Sequence, residues 1–342
     1  MTNLNNALVA QAGLRTWYAN HARNLPWRLK PSLYGTWLSE ILLQQTQVET
    51  GRPKWHLFME RFPTVGHLAR ASESEVLKAW EGLGYYRRAT LLHKASRIIE
   101  AAGEFPMSYD AWLKLPGVGP YTAAAIASIG LGEAVAAVDG NVQRVVSRWA
   151  GIADPVDGKT GAQAIQTVAD AWLDHDAPGN HNQAVMELGA LVCKPRKPLC
   201  TLCPISTHCA SANNPDMWGV LPAKKLKKKV QRWELTWHIA RFENNIVAIK
   251  RPESGVWANM WAFPETPPPS HFLPLGALMK PITHLLTHRR IEATFQGWRA
   301  PSKAALEAYA KEVAGEVMTW NALKKRAMPR LVTKVFDALH GE

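Results

Sequence analysis

Apolar positions recur at helical spacing from the amino terminus to about Ala212, and alternate through much of the remaining chain, so periodicity alone divides the molecule. Within 34–48, Tyr34, Leu38, Ile41 and Leu42 form one helical face. Glu40 falls on the flank of that face, one turn from Trp37 and Gln44, where its carboxyl group is either partly desolvated or a half-exposed helix carboxylate. A small-residue helix is expected over 122–129, closed by Gly130, and a second pattern opens after Asp139 with Val142, Val145, Val146 and Trp149. Further helices are expected over 54–61, 74–81, 89–101, 162–173 and 182–192, with Ser72, Ser74 and Thr160 as N-cap candidates. Beyond residue 230 the pattern changes. Segments 234–242 and 246–249 read as strands joined by a turn at Asn244-Asn245, and 255–263 and 282–298 add strand or loop. Helical patterns return over 301–314 and 322–340. The expectation is a mainly α module over 1–212, a linker over 213–231 and an α+β domain over 232–342.

Composition narrows the class of partner. Forty Lys and Arg against 28 Asp and Glu give a formal charge of +12 over 342 residues, which favours a polyanion. Five of those lysines crowd into 224–229, where they either solvate a tether or track DNA. No stretch approaches the roughly 20 apolar residues of a membrane span. The first residues lack the charged flank and long apolar run of a signal peptide, so a cytoplasmic protein is expected.

That compartment disfavours disulfides, and Cys193, Cys200, Cys203 and Cys209 fall within seventeen residues with no cysteine elsewhere. Their spacing, C-x6-C-x2-C-x5-C, has one CxxC pair where a zinc ribbon usually has two. Four thiolates along one compact loop suit a [4Fe–4S] cluster better than structural zinc. Lys194, Arg196 and Lys197 lie inside the loop, either to meet phosphates or to compensate thiolate charge. Upstream, Gly117 and Gly119 bracket Val118 in a turn that feeds a helix, an arrangement able to hold a backbone phosphate.

Taken with the iron–sulfur spacing, the turn LPGVGPYT and Asp139 twenty residues after Gly119 resemble the helix-hairpin-helix superfamily of base-excision DNA glycosylases. LPWR (25–28), WLSEILLQQTQV (37–48), GLGYYRRA (82–89) and VDGNVQRV (138–145) narrow the resemblance to the MutY-type adenine branch. The resemblance implies a six-helix barrel over 30–133 and an iron–sulfur subdomain from 1–29 and 134–212. It also implies a DNA-bound monomer associated with the nucleoid, acting on double-stranded DNA with adenine opposite 8-oxoguanine or guanine.

A glycosylase needs a proton for the leaving base and a negative charge near the developing sugar cation. Glu40 is the expected proton donor to adenine N7. Asp139 is the expected ionised partner that orients water, although an N-cap for the following helix is its ordinary alternative. By the resemblance, Asn141 supports that water. Arg23, Leu25, Trp27, Arg28, Val48 and Glu187 line the adenine pocket, and Gln45 and Tyr85 wedge into the duplex. Tyr85 is otherwise a packing aromatic. Tyr121 stands where strand-cleaving relatives place a lysine nucleophile, so a monofunctional enzyme is expected.

RPESGVWANMWAFPE (251–265) resembles a Nudix-like domain, but Pro267, Pro268 and Pro269 replace the Glu-rich helix of a catalytic one, so no pyrophosphatase and no magnesium site are expected. In the family a Phe-Ser-His hairpin reads 8-oxoguanine; here it is Leu286, Thr287 and His288, with Leu286 alternatively a strand residue facing a core. Two other readings stay open. One is an oxidised-pyrimidine glycosylase with lyase activity, and the other a catalytically silent DNA-structure binder.

Overall fold

The computed structural model describes residues 4–212, 214–225, 230–286 and 289–340. Its contacts divide into two compact units, Met1–Arg70 with Leu91–Leu226, and Ala71–Thr90 with Lys227–Glu342.

The first unit is helical. Its elements are α1 (Leu4–His21), α2 (Pro26–Leu29), α3 (Leu33–Leu43), α4 (Val48–Arg61) and α5 (Val65–Arg70). After α6 (Glu73–Ala79) and the start of α7 (Arg87–Ala102), which belong with the second unit, come α8 (Tyr109–Leu113), α9 (Pro120–Leu131) and α10 (Gly140–Ala150). The helices α11 (Lys159–Trp172), α12 (Pro178–Leu191) and α13 (Asp216–Val220) complete it, with the cysteine loop between the last two.

Helix α9 is the hub of this unit. Thr122 through Ser128 are all buried, so the helix is covered on every side rather than on one stripe. Its alanines let α3 and α12 pack against it. Gly130 does not close the helix as its residue type suggests. A Cβ there would lie 2.6 Å from Leu33 Cδ1, so that glycine serves the approach of α3. The helix runs on to Leu131 and stops at Gly132, which has φ of 72°. Asn182 pins α12 alongside, donating from Nδ2 to Ser128 Oγ and Val135 O while its Oδ1 accepts from Ala137 N.

Other boundaries differ from the sequence expectation for local reasons. α4 begins at Val48 rather than 54 because Pro53, which reads as a break, is accommodated inside the helix. Ser72 caps α6 in a box with Glu75, which leaves Ser74 inside the helix. Gly158 holds the N-cap position of α11, so Thr160 lies in its first turn.

The second unit is built on one mixed sheet. Its strands are β1 (Gln231–Phe242), β2 (Asn245–Lys250), β3 (Trp261–Ala262), β4 (Leu273–Ala277), β5 (Ile282–Leu285), β6 (Arg289–Arg299) and β7 (Glu316–Thr319). The path runs β3-β2-β1-β6-β4, with β5 on β6 and β7 on β2. β1 and β6 are parallel, from Gln231 opposite Arg289 to Arg241 opposite Arg299. Alternation places Leu235, Trp237, Ile239, Ile291, Ala293 and Phe295 in one core with α15 (Trp320–Lys324) and α16 (Arg330–His340). Ala240, Val247 and Phe272 form a second core with α14 (Lys303–Glu312). The helical pattern over 322–340 splits because Pro329 disfavours helical geometry at Met328. β4 carries Pro274 and Gly276 and shows no alternation, which hid it in the sequence.

Residues 71–90, read from the sequence as part of the helical module, group with this second unit. Lys78 Nζ donates to Lys324 O at 2.9 Å, Tyr86 OH to Met328 O at 3.4 Å, and Asn259 Nδ2 to Glu73 Oε1 at 3.3 Å.

Gly117, in the turn between α8 and α9, has φ of 79°, and a Cβ there would sit 2.8 Å from Leu91 Cβ. Gly117→Ala is therefore expected to destabilise the chain by about 1–3 kcal/mol, from the positive φ and the clash together. Denaturant unfolding checks this, and a change near zero would show that the turn can rearrange.

Candidate active site

Three helices converge on one cavity. α3 brings Glu40, the first turn of α9 brings Tyr121, and α12 brings Gln183, Met186 and Glu187. The start of α10 adds Asp139, Gly140 and Asn141, and the chain around α2 adds Arg23, Leu25, Trp27 and Arg28. Gln45 and Val48 complete the rim, around about 1460 Å³ of atom-free space that includes solvent. Every expected catalytic and adenine-pocket residue thus lines a single cavity.

The two carboxyl groups sit in different surroundings. Glu40 Oε2 accepts a 2.6 Å hydrogen bond from Tyr121 OH. Burial pushes the Glu40 carboxyl up to about 7, and the nearby Asp139 charge adds to the shift, while the Tyr121 hydrogen bond and Arg28 oppose it. Tyr121 is itself raised well above its ordinary value by burial and by Glu40, so its hydroxyl remains a donor. It also reaches Met186 Sδ at 3.8 Å.

Asp139 is the N-cap of α10, accepting from Val142 N at 2.7 Å. Its other oxygen accepts from Asn141 Nδ2 at 2.8 Å. Burial again raises its pKa, but these donors and the Arg144 charge pull the other way, as does the positive end of α10. The capping reading of Asp139 therefore holds, and it leaves the carboxylate in the cavity wall.

A cationic pair flanks them. Arg23 donates to Glu187 from its backbone N at 2.9 Å, Nε at 2.8 Å and Nη2 at 3.0 Å, and Arg28 Nη2 reaches Glu187 Oε2 at 3.1 Å. Burial alone would raise the Glu187 pKa, but the hydrogen bonds from Arg23 and Arg28 outweigh it and keep the carboxylate low. Arg28 Nε donates to Gln183 Oε1 at 3.0 Å and its guanidinium lies 5.6 Å from the Tyr18 ring. Gln183 and Met186 are not singled out by the sequence. Gln183 lies four residues before Glu187 on α12, so helical spacing from that residue was the available signal.

Two expected groups are not among the residues lining the cavity, and a third falls outside the described residues. Gly117 and Gly119 form the turn before α9 and do not line the cavity. Tyr85 belongs to the second unit; it has φ of 46°, is half exposed, and its ring lies 5.7 Å from the Arg88 guanidinium. Thr287 and His288 lie outside the described residues. Leu286, the residue after β5, packs against the main sheet core, so it faces a core as expected but does so from outside the strand.

The cysteines cluster away from this cavity. Cys193, Cys200, Cys203 and Cys209 line a second pocket with Arg148, Leu199 and Trp218, around about 330 Å³ of atom-free space that includes solvent. Burial raises the thiol pKa of Cys200 and Cys209, and that of Cys203 to about 12, with the neighbouring thiols adding to each. Arg144, which the sequence does not single out either, links the two regions. Its Nη2 donates to Asn141 Oδ1 and Gly189 O, both at 2.8 Å, and its Nε to Cys193 O at 2.8 Å.

Residues 38–169 match the HhH-GPD superfamily base excision DNA repair protein family, and residues 236–338 match the NUDIX domain. Fold and site therefore define a helix-hairpin-helix base-excision glycosylase with a carboxy-terminal NUDIX domain. The adenine DNA glycosylase of Buchnera aphidicola subsp. Schizaphis graminum is 35% identical, covering 75% of this chain and 74% of the relative. That of Homo sapiens is 30% identical, covering 97% of this chain and 74% of the human protein. The chain belongs to the adenine DNA glycosylase family. Among solved structures, a thermostable thymine-DNA glycosylase superposes with a TM-score of 0.56 at 27% identity, over 61% of this chain and 97% of that one. A non-covalent endonuclease III–DNA complex gives 0.54 at 19% identity, over 64% and 100%, which is a likeness of fold.

Gln45 has φ of 55° on the cavity rim, the left-handed strain that clusters at functional positions. Gln45→Gly should relieve the strain while freeing the unfolded chain, so stability is expected to stay within about 1 kcal/mol of the native value. Duplex binding should weaken. Denaturant unfolding paired with DNA titration tests both, and a large stability loss with intact binding would make Gln45 a structural residue.

Proposed function

We propose that the adenine this family excises is, for this chain, the one paired with 8-oxoguanine or guanine, and that it is released by hydrolysis without strand cleavage. The reading rests above all on Glu40. It is a carboxyl group in a cavity wall, held near neutrality by burial and oriented by Tyr121, with a second carboxylate at Asp139 that has more hydrogen-bond donors. A group with a pKa of about 7 is half protonated at neutral pH and can donate to N7 of a flipped-out adenine. Asp139, held by two donors and the start of α10, stays available to stabilise the oxocarbenium-like sugar and orient water. Asn141 holds that carboxylate in place. The Arg23–Arg28–Glu187 network supplies fixed polar groups for the edge of the base.

The monofunctional reading is supported at Tyr121. Its hydroxyl is committed to Glu40, and among the described residues lining the cavity there is no lysine to form a Schiff base. A silent DNA-structure binder would have no use for a desolvated carboxyl beside a second one.

We infer that the four cysteines hold a [4Fe–4S] cluster. All four thiols line one pocket, along a loop with one CxxC pair where a zinc ribbon usually has two. Such spacing suits a polynuclear cluster better than one zinc ion. When bound, the cluster cross-links residues 193–209 and fixes the loop that carries the exposed Lys194, Arg196 and Lys197. No described helix is long and apolar enough to cross a membrane.

Single-turnover release of adenine from an A:8-oxoguanine duplex is expected to fall by at least about 100-fold in Glu40→Gln and in Asp139→Asn, the usual scale for loss of an acid–base or electrostatic partner. Because the acid form of Glu40 is the active one, the native rate should decline as pH rises through about 7. The raised carboxyl also destabilises the native fold above its unfolded value near 4.5, so Glu40→Gln should gain stability at pH 8 and lose that advantage toward pH 4. Near-native rates in either variant would refute the mechanism. For the cluster, anaerobically purified protein should be brown with bound iron and inorganic sulfide; a colourless chain with stoichiometric zinc would overturn the assignment.

A further inference from the structure

Arg148 lies in the last turn of α10 and is only 2% exposed. Everything its guanidinium bonds belongs to the cysteine loop or to the segment just after it. Nη1 donates to Lys194 O at 2.7 Å and to Cys193 Sγ at 3.5 Å. Nη2 donates to Pro195 O at 2.7 Å and to Trp218 O at 2.5 Å, and Nε to Leu221 O at 3.0 Å. The Arg148 carbonyl in turn accepts from Ser211 Oγ at 2.8 Å and Cys209 Sγ at 3.5 Å.

This cation lacks a counter-anion of its own. Among the described residues no carboxylate pairs with it, and burying an uncompensated charge is costly. Carbonyl dipoles satisfy the N–H groups but do not cancel the charge. The void that Arg148 lines together with all four cysteines is where an anionic partner would sit. A thiolate-ligated iron–sulfur cluster is such a partner. The other cations of the loop, Lys194, Arg196 and Lys197, are exposed and screened by solvent.

We propose that Arg148 is a positioning residue for the iron–sulfur cluster, donating an N–H to the Cys193 sulfur and placing one buried positive charge beside the four thiolates, so that it raises the reduction potential and retains the iron. The inference rests on the assignment of a cluster to the four cysteines. Hydrogen bonds to ligand sulfur, local charge and solvent exclusion are the levers that set such potentials, and Arg148 supplies all three. Adding an electron to the cluster makes it more negative, so a nearby buried cation favours the reduced form. Cys193 is held twice, at its sulfur by Arg148 and at its carbonyl by Arg144, which makes it the ligand whose release the two arginines most directly oppose.

The test uses the holoprotein. Arg148→Gln keeps an N–H donor without the charge, and Arg148→Lys keeps the charge without the fork. Redox titration should show Arg148→Gln shifted negative by about 59 mV, a tenfold loss in the relative stability of the reduced form for one electron, with Arg148→Lys in between. Iron release to a chelator should be several-fold faster in both. Because a buried arginine can be essential for folding, pulsed electron paramagnetic resonance of native holoprotein with ¹⁵N-labelled arginine provides a second readout. It should detect a guanidinium nitrogen coupled to the paramagnetic cluster. Folded variants with unchanged potential and iron release, or a native cluster with no arginine coupling, would overturn the role of Arg148. A native chain without iron would instead overturn the cluster assignment on which this role depends.

Discussion

The close packing around α9 is the constraint on which the site depends. A helix buried on every side can sit between two others only if its side chains are small, and 122–128 supplies Thr, Ala, Ala, Ala, Ile, Ala and Ser. That thinness lets both α3 and α12 approach and sets Glu40, Tyr121 and Glu187 around one cavity. Larger residues along α9 would push the helices apart, and a hydrogen bond as short as that between Tyr121 and Glu40 would not survive a displacement of an ångström. The geometry of the cavity is thus a product of interior packing.

Within the cavity, environment separates carboxyl groups that composition does not. Glu40 has burial and one donor; Asp139 has burial, a backbone N–H, a side-chain amide and a helix start; Glu187 has two arginines. The first is pushed toward the neutral acid, the last is held ionised, and the second is raised by burial against the downward pull of its donors. A proton donor and an electrostatic partner are what breaking a glycosidic bond requires, and the separation arises from which backbone and side-chain donors each group can reach.

How much of this was legible in the sequence depended on whether the signal was local. The helix around Glu40 and the first strand of the second unit announce themselves by periodicity, and the cysteine spacing by its compactness. The adenine-pocket residues were legible only by resemblance, because Arg23 and Glu187 meet across 164 positions that no local pattern connects. The ends of α9 and α4 were hidden by residues whose usual meaning was overridden: Gly130 serves packing against Leu33, and Pro53 is absorbed within a helix. The grouping of 71–90 with the carboxy-terminal residues depends on bonds from Lys78, Tyr86 and Asn259 across long sequence separations, which no composition shift foretells.

α10 shows how one short helix can answer to two sites. Its N-cap, Asp139, faces the cavity, and its last turn carries Arg148 among the cysteines. Between them Arg144 bonds forward to the Cys193 carbonyl and back to Asn141, the amide that holds Asp139. Hydrogen bonds at both ends restrict the same rigid element, so the orientation of the Asp139 carboxylate and the path of the cysteine loop are not independent degrees of freedom. A change in the path of that loop would be felt at Arg144 and Arg148, which bond its backbone directly. The same helix is amphipathic, with Val142, Val145, Val146 and Trp149 anchored in the core shared with α1, α11 and α12. That anchoring is why its two polar ends are held in fixed relation.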